Sequence, residues 1–368
     1  MEIVNTLFGL FGGLALFLFG MEMMSDGLQK AAGERMKYIL GLLTRNPVMG
    51  VLAGALTTAV LQSSSATTVM VIGFVSAGLM NLPQAISIIL GANIGTTITA
   101  QIIAFNISDY IYPIVFIGFL IAFVAKKEVV KYIGNTILGF GILFIGIEIM
   151  GTTMKPLASS PVFLDLIGKV ADIPVLGLLL GVGMTVIVQS SSAVIAVLQN
   201  FASQAGPDGV SSILGLQGAI PILLGSNIGT TITALLACIG QTRDAKRTAV
   251  AHSVFNITGS IVFMFIIPWF AKVITLISPS GTEVEVISRQ IANAHTAFNV
   301  VNTIIWIPLI WLMVKIVMWI LPEKEEKEQG EMRAQFLDVN VMSQPVVALH
   351  LVSKEIINYT KQIEVFLE

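Results

Sequence analysis

The chain has 368 residues, of which 55% are hydrophobic and only 11% are charged, and its mean hydropathy is +0.87. Because soluble domains carry about a quarter charged residues, this composition excludes a water-soluble globular protein. The formal net charge of −2 does not indicate a class of partner, and the absence of a basic run or of a basic patch with interleaved aromatic residues sets nucleic-acid binding aside. The single cysteine, Cys238, excludes a disulfide framework and a cysteine-ligated zinc site.

Apolar stretches of bilayer-spanning length predict an all-α polytopic membrane protein. Full spans are predicted at residues 7–28, 83–105, 110–125, 132–152, 212–238, 248–276 and 290–321, and Gly- and Ser-interrupted apolar segments at 48–80 and 174–202. The N-terminus lacks the basic region and the cleavage site of a secretory signal, so we expect the first helix to be retained.

An internal repeat relates two parts of the chain. Three blocks recur in the same order: FGMEMM at 19–24 and IGIEIM at 145–150, GALTTAVLQSSSATT at 54–68 and GVGMTVIVQSSSAVI at 181–195, and GANIGTTITA at 91–100 and GSNIGTTITA at 225–234. We therefore predict a first transmembrane repeat at residues 1–130, and a second repeat with a final span at 131–321.

Each repeat is expected to contain two interruptions at membrane depth. The QSSS segments, flanked by apolar arms, predict re-entrant helical hairpins, and the NIGTT segments predict broken transmembrane helices. If the hairpins do not cross, each repeat contributes three crossings and the two repeats have inverted topology. An N-terminus outside places ten Lys and Arg residues on the cytoplasmic side against three outside. The positive-inside rule therefore supports inverted repeats in the plasma membrane with a cytoplasmic C-terminus.

Broken helices in a membrane require partners for their free backbone groups. A half-helix that begins at QSSS offers N–H groups, its positive dipole end and hydroxyl donors, which suit an anion without Lys or Arg. The preceding arm ends in carbonyls that suit a small hard cation. In NIGTT, Asn93 or Asn227 supplies an amide oxygen, and Gly95 or Gly229 permits unwinding. Four breaks converging at the midplane are typical of an ion-coupled secondary transporter.

The two copies differ in their hydroxyl groups. Thr67 and Thr68 follow the first QSSS, whereas Val194 and Ile195 follow the second. Ala92 of the first copy is replaced by a serine in the second. We therefore expect the substrate to contact mainly the first hairpin and at least one sodium ion to lie near the second copy, at Gln189, Ser190, Ser226 and Thr230.

Duplicated QSSS and G-[AS]-NIGTT motifs resemble the type II sodium-dependent phosphate cotransporter family and its bacterial relatives, over about residues 1–320. The resemblance implies sodium-driven uptake of inorganic phosphate by alternating access, with sodium as the coupling ion and no other cofactor. The candidate substrate-binding residues are Gln62, Ser63, Ser64, Ser65, Thr67, Ser190, Ser191, Ser192, Asn93 and Asn227. The candidate sodium ligands are Gln62, Asn93, Thr96, Gln189, Ser190, Ser226, Asn227, Thr230 and Thr233.

Two further pairs of repeated residues have open roles. AHSVFN at 251–256 and AHTAFN at 294–299 also resemble family elements. A hydrogen-bonding role is favoured for their histidines over a proton relay. The intramembrane acids Glu22 and Glu148 are equivalent in the two copies. A helix-packing role and a functional role remain open for them.

After the last span, residues 322–333 form a charged linker that is expected to be cytoplasmic. Residues 346–367 have amphipathic helical spacing and resemble the start of the PhoU-like helical domain attached to many bacterial members. The predicted third region is therefore 322–368. It could contact a regulatory partner or a second copy of the chain, while membrane lipid surrounds the spans.

The sequence is compatible with three alternative functions to different degrees. A transporter of another oxyanion, such as sulfate or arsenate, or of a carboxylate keeps the fold and changes the substrate. A phosphate-sensing membrane scaffold would act through the C-terminal segment. An intramembrane serine hydrolase is disfavoured, because no His or Lys lies near either QSSS in sequence and a duplicated nucleophile has no chemical purpose. We therefore predict that the protein is not an enzyme.

Overall fold

The computed structural model describes residues 2–32, 46–105, 107–158, 160–322 and 345–367. These residues form helices, and their only β-structure is an isolated bridge between Ala205 and Ser212. Six helices are long and apolar enough to cross a membrane, or seven if one bent pair counts as a span, which confirms an all-α polytopic membrane protein. The helices are α1 (Glu2–Ala32), α2 (Pro47–Leu61), α3 (Ser64–Ser76), α4 (Leu82–Ile103), α5 (Ile111–Val124), α6 (Glu128–Ala158), α7 (Pro161–Asp172), α8 (Pro174–Val188), α9 (Ser191–Ala202), α10 (Gly215–Ala237), α11 (Arg243–Phe265), α12 (Ile267–Ile277), α13 (Glu283–Trp306), α14 (Ile310–Ile320) and α15 (Pro345–Leu367).

Most predicted spans coincide with one helix, but those at 248–276 and 290–321 are each divided between two α-helices. The span predicted at 248–276 is divided at Ile266 into α11 and α12, because Pro268 in the first turn of α12 cannot donate a backbone hydrogen bond. The span predicted at 110–125 is α5, which has 14 residues, fewer than the ~20 that a helix needs to cross the hydrocarbon core.

Both QSSS segments interrupt a helix, as predicted. The first break separates α2 from α3, the second separates α8 from α9, and the four arms have 12 to 15 residues each. Each arm is therefore too short to span a bilayer alone. That both arms of each pair enter from one side of the membrane stays a prediction. The sequence did not predict α7, which meets α8 at 108°.

The prediction of broken helices at NIGTT is wrong. Both α4 and α10 continue through the motif without interruption. The motif glycines instead allow a close helix approach. A side chain at Gly95 would overlap the Ala55 carbonyl oxygen and Thr58 of α2, and one at Gly229 would overlap Thr185 of α8. Only the two QSSS breaks remain of the four that were expected.

Glycines also line the rest of the contact between the helix before each QSSS turn and the NIGTT helix of the same repeat, that is, between α2 and α4 and between α8 and α10. We call this contact the glycine seam. A methyl group at Gly54 would overlap a carbonyl oxygen of α4, and one at Gly91 would overlap a carbonyl oxygen of α2. Gly181 and Gly225 make the equivalent contacts between α8 and α10. Small residues spaced by four are typical of closely packed membrane helices, so the same seam is built twice.

The repeat-equivalent helices α1 and α6 pack against each other in antiparallel orientation. Gly20 of α1 lies against the backbone of Leu143, and Gly146 of α6 lies against the backbone of Phe17. These contacts are reciprocal, because Gly20 corresponds to Gly146 and Phe17 to Leu143 in the repeat. Both large side chains are fully buried. The orientation of the two repeats across a membrane stays a prediction.

The C-terminal helix α15 confirms the amphipathic helix predicted at 346–367. Its Leu351 side chain is buried against Ala77 and Phe74, at the end of α3. The predicted linker at 322–333 lies outside the described residues from position 323 onward. The PhoU-like character of this region stays a prediction.

Candidate functional site

The two QSSS turns have nearly the same backbone geometry. Gln62 lies in the left-handed region at φ 53° and ψ 21°, and Gln189 lies there at φ 57° and ψ 22°. The backbone N–H of each glutamine donates to a threonine carbonyl 2.7 Å away, that of Thr58 in the first turn and that of Thr185 in the second. A positive φ is uncommon for a residue other than glycine, so both turns hold a glutamine in an unfavourable conformation.

A serine cap starts the helix after each turn. The Ser63 hydroxyl oxygen accepts from the Ala66 amide at 3.1 Å, and the Ser190 hydroxyl oxygen accepts from the Ala193 amide at 3.2 Å. The first two amides of each helix have no intrahelical acceptor by their position. They belong to Ser64 and Ser65 in α3, and to Ser191 and Ser192 in α9. Each turn therefore presents two amides and a positive helix end, an arrangement that suits an anion.

The first turn is closed by side-chain hydrogen bonds. The buried Gln62 side chain accepts from the Thr99 hydroxyl at 2.8 Å and donates to the Ala59 carbonyl. The Thr58 hydroxyl donates to Thr67 at 2.8 Å. The bond from Thr99 joins the turn to α4 of the same repeat, and the Thr58–Thr67 bond joins the two arms. Thr58 and Thr99 are not among the site residues expected from the sequence, although both lie in repeated blocks.

The second turn is more open. The Gln189 side chain is exposed, whereas its equivalent Gln62 is 6% exposed. The Thr185 hydroxyl is buried without a hydrogen-bond partner among the described residues, because Val194 replaces Thr67. In the last turn of α8, the described residues provide a donor only for the Thr185 carbonyl. The remaining carbonyls there are therefore available to a cation.

One hydrogen bond between the repeats joins a candidate substrate residue to a candidate sodium ligand. The Ser65 and Thr233 hydroxyl oxygens lie 3.0 Å apart. The Thr233 hydroxyl donates its proton to the Thr230 carbonyl at 2.6 Å. Because a hydroxyl has a single proton, Ser65 is the donor in the bond to Thr233. The structure thus brings the first QSSS turn to the NIGTT helix of the second repeat.

The NIGTT asparagines are bound to the histidines of the AHxxFN segments. The Asn93 side-chain oxygen accepts from His252 at 3.3 Å, and the Asn227 oxygen accepts from His295 at 3.1 Å. Both asparagines are at most 4% exposed. Each histidine therefore has the hydrogen-bonding contact that the sequence favoured. The ligand roles of Asn93 and Asn227 stay predictions, and their oxygens already serve this contact.

The helices α11 and α13 each bridge both NIGTT helices. His252 of α11 contacts α4, and Ser260 of the same helix donates to the Leu224 carbonyl of α10 at 3.3 Å. In α13, His295 contacts α10 and Thr303 donates to the Leu90 carbonyl of α4, also at 3.3 Å. The two helices that contain the AHxxFN segments therefore make equivalent contacts with the NIGTT helices of opposite repeats.

Three candidate sodium ligands of α10, at positions 226, 230 and 233, have the i, i+4, i+7 spacing of one helix face, and Thr233 on that face contacts Ser65. The Ser226 hydroxyl donates to Leu223 at 2.8 Å, and the Thr230 hydroxyl donates to Ser226 at 3.2 Å. Since each proton is used within the helix, the oxygen lone pairs remain available to a cation. The corresponding Thr96 of α4 is buried. The ligand roles of these residues stay predictions.

The equivalent acids Glu22 and Glu148 are both exposed and each lines a cavity. Glu148 contributes to a cavity of about 600 Å³ together with Gly151 and Asn200. Glu22 contributes to one of about 360 Å³ together with Tyr132. Both acids therefore face open space rather than a packed helix interface, and their roles stay open.

Comparison with known proteins identifies the family. The sequence model of the Na+/Pi-cotransporter family matches the chain twice, at residues 16–152 and 148–301. An uncharacterized protein of Bacillus subtilis, YqeW, is 38% identical over 246 residues, which are 67% of this chain and 78% of the relative. No solved structure gives a significant match.

Two further relatives carry functional names. The putative inorganic phosphate export protein YjbB of Escherichia coli K12 is 25% identical over 285 residues, or 76% of this chain and 50% of the relative. The sodium-dependent phosphate transport protein 2A of Rattus norvegicus is 39% identical over 95 residues, or 25% of this chain and 15% of the relative. The chain thus spans half of one relative and a small part of the other.

Proposed function

Because the chain belongs to the Na+/Pi-cotransporter family, we propose that it carries inorganic phosphate across the membrane together with sodium. The proposal is an alternating-access transporter that imports phosphate under an inward sodium gradient. The observation that carries it is the hydrogen bond from Ser65 to Thr233, because it connects the candidate anion and cation sites.

The anion half of the proposed site is the first QSSS turn. The amides of Ser64 and Ser65 point along the positive end of α3, where a phosphate gains both hydrogen bonds and dipole stabilisation. The bonds of Gln62 to Thr99 and Ala59 hold this turn in place. A fixed set of donors binds an anion without the cost of ordering flexible side chains.

The cation half of the proposed site is the second QSSS turn with the hydroxyl face of α10. The open carbonyls at the end of α8 and the oxygens of Ser226, Thr230 and Thr233 are neutral oxygen ligands. Such ligands suit a small hard cation. The buried hydroxyl of Thr185, which has no partner among the described residues, adds an oxygen close to the same turn.

Coupling between the two halves follows from the single proton of Ser65. While Ser65 donates to Thr233, its proton is not available to phosphate. A sodium ion bound to the Thr233 oxygen repels that proton and occupies the lone pair that accepts it. Sodium binding therefore releases the Ser65 hydroxyl to donate to phosphate, and the cation also offsets the anion's charge. Each ligand thus raises the affinity for the other, as linkage requires.

The direction of net transport is proposed from thermodynamics. A symporter moves phosphate in the direction of the sodium gradient, so an inward gradient drives import. The name of the Escherichia coli relative, a putative inorganic phosphate export protein, favours the opposite direction as the second candidate. In this second candidate, phosphate would leave the cell either against an inward sodium gradient or by a process that does not require sodium.

Uptake into proteoliposomes tests the proposal. The full chain is reconstituted, and uptake of labelled phosphate is measured with inward gradients of sodium and of potassium. We expect uptake with sodium and only background with potassium, and excess unlabelled sulfate should compete weakly. Equal uptake in the two salts would contradict coupling. Vesicles preloaded with labelled phosphate should release it faster under an outward sodium gradient, and sodium-independent release would favour the export candidate.

A further inference from the structure

A serine outside both motifs contacts the first QSSS turn. The Ser25 hydroxyl of α1 donates to the Leu61 carbonyl at 2.6 Å. Leu61 is the last residue of α2, and its carbonyl belongs to the peptide group that leads into the left-handed Gln62. This carbonyl has no donor within its own helix, as expected for a helix end. Ser25 therefore fixes the peptide plane on which the geometry of the turn depends.

A second residue orients Ser25. The Gln29 side chain, one turn further along α1, donates to the Ser25 oxygen at 2.9 Å. Because this oxygen already accepts a hydrogen bond, the serine proton is directed to the Leu61 carbonyl. The chain of two hydrogen bonds connects α1 to the turn over a separation of 36 positions in the sequence.

The second repeat lacks this contact. The blocks FGMEMM and IGIEIM align in the repeat. The residues that directly follow them, Ser25 and Gly151, therefore occupy equivalent positions. Gly151 has no hydroxyl and lines the cavity of about 600 Å³ beside α9. The second turn also has the exposed Gln189. The presence of the serine therefore accompanies the closed turn, and its absence accompanies the open one.

We propose that Ser25 is a positioning residue of the transport site that holds the first QSSS turn in its anion-binding geometry by occupying the Leu61 carbonyl. The same bond occupies a lone pair of that carbonyl, so the last turn of the first arm offers fewer free carbonyl lone pairs to a cation than the last turn of α8 does. The transport role rests on the proposed function, whereas the positioning of the turn does not.

Hydrogen–deuterium exchange of the full chain in nanodiscs tests the positioning directly. A single hydrogen bond contributes a factor of about two to ten to a local opening equilibrium. In Ser25→Ala, peptides covering residues 61–66 should therefore exchange about two- to tenfold faster. Peptides covering residues 188–193 serve as an internal control and should not change. Ser25→Thr should restore slow exchange, and Gln29→Ala should accelerate exchange in the same peptides.

A matched control removes another hydroxyl between α1 and α6. The Thr136 hydroxyl donates within its own helix to Tyr132, so Thr136→Ala should leave exchange at 61–66 at the wild-type rate. Wild-type exchange in Ser25→Ala, or equal acceleration in Thr136→Ala, would overturn the proposal.

Phosphate uptake separates this inference from the proposed function. In Ser25→Ala, the KM for phosphate should rise about two- to tenfold with kcat within about twofold. A wild-type chain without phosphate uptake contradicts the proposed function alone, because the exchange result does not depend on the substrate. Normal uptake kinetics in a variant with accelerated exchange would remove Ser25 from the transport site.

Discussion

The Ser65 hydroxyl donates to the Thr233 hydroxyl across the two repeats at 3.0 Å. We predict that Ser65→Ala raises the KM for phosphate about two- to tenfold, the effect of one hydrogen bond. It should also weaken the dependence of that KM on sodium, because sodium no longer releases a proton for phosphate. Uptake assays over a sodium series measure both effects. Thr275→Ala removes a hydroxyl bonded within α12 and should leave both parameters unchanged.

A double-mutant cycle tests the same contact energetically. Thr233→Val should weaken sodium activation, and the double variant with Ser65→Ala should lose less than the sum of the single losses. The expected coupling energy is about 0.5–1.5 kcal/mol. Strict additivity in phosphate KM and sodium activation would show that the two hydroxyls act independently.

The difference between Thr67 and Val194 predicts opposite effects on stability. Thr67→Val leaves the Thr58 hydroxyl without its partner, which should cost about 1–3 kcal/mol. Val194→Thr offers a partner to the buried Thr185 hydroxyl, which should stabilise the protein by about 0.5–1.5 kcal/mol. Thermal unfolding in detergent should therefore shift down for the first variant and up for the second. Shifts of the same sign would contradict the repeat-related pairing.

Much of this site could be predicted from sequence because its parts are local. A hydroxyl-rich, polar QSSS inside an apolar segment has few alternatives to a helix break, and both breaks are present. The sequence does not distinguish a broken from a continuous helix at NIGTT, because a glycine serves equally for unwinding and for close packing. Gly95 lies against Ala55 and Thr58, and the presence of a second helix at that position is a tertiary fact that no local pattern contains.

Contacts between distant segments could not be derived in the same way. The pairs His252–Asn93 and His295–Asn227 join residues 159 and 68 positions apart. The AHxxFN repeat identified the histidines, but not their partners. Ser25 directly follows the repeated block FGMEMM. Nothing in the sequence distinguishes it from a serine that only packs between helices. Its role depends on the position of the Leu61 carbonyl, which only the packing of α1 on α2 determines.

The glycine seam provides a matched pair of variants within α8. An added methyl group at Gly181 would overlap the Ile222 carbonyl oxygen, whereas at Gly183 it would meet no atom within 4 Å. Gly181→Ala should therefore reduce the yield of folded protein, because the helices must separate. Gly183→Ala should be neutral or stabilise by about 0.5–1 kcal/mol. Size-exclusion profiles and unfolding temperatures of the two variants measure the difference, and equal behaviour would contradict the close seam.

The loop between α9 and α10 allows a pH-dependent prediction. Hydrogen bonds from the Ser211 hydroxyl and from the amides of Ser211 and Val210 lower the pKa of Asp208 from 3.8 to about 2. Because the folded loop lowers this pKa, the ionised carboxylate stabilises the loop at any pH above the ordinary pKa of 3.8. The stabilisation is lost as the pH falls through the lowered pKa of about 2. Loop order should therefore be constant from pH 5 to pH 8. Asp208→Asn should accelerate amide exchange of residues 208–212 throughout that range, and wild-type exchange would contradict the assignment.

In the proposed transport site, backbone amides of a serine turn hold the transported anion. A cryo-EM map of the full chain with sodium and phosphate tests this most directly. We expect tetrahedral density within hydrogen-bonding distance of the Ser64 and Ser65 amides, and its loss when potassium replaces sodium. Phosphate density that lies away from this turn would rule out the serine turn as the anion site, and density that persists equally in potassium would rule out its coupling to sodium.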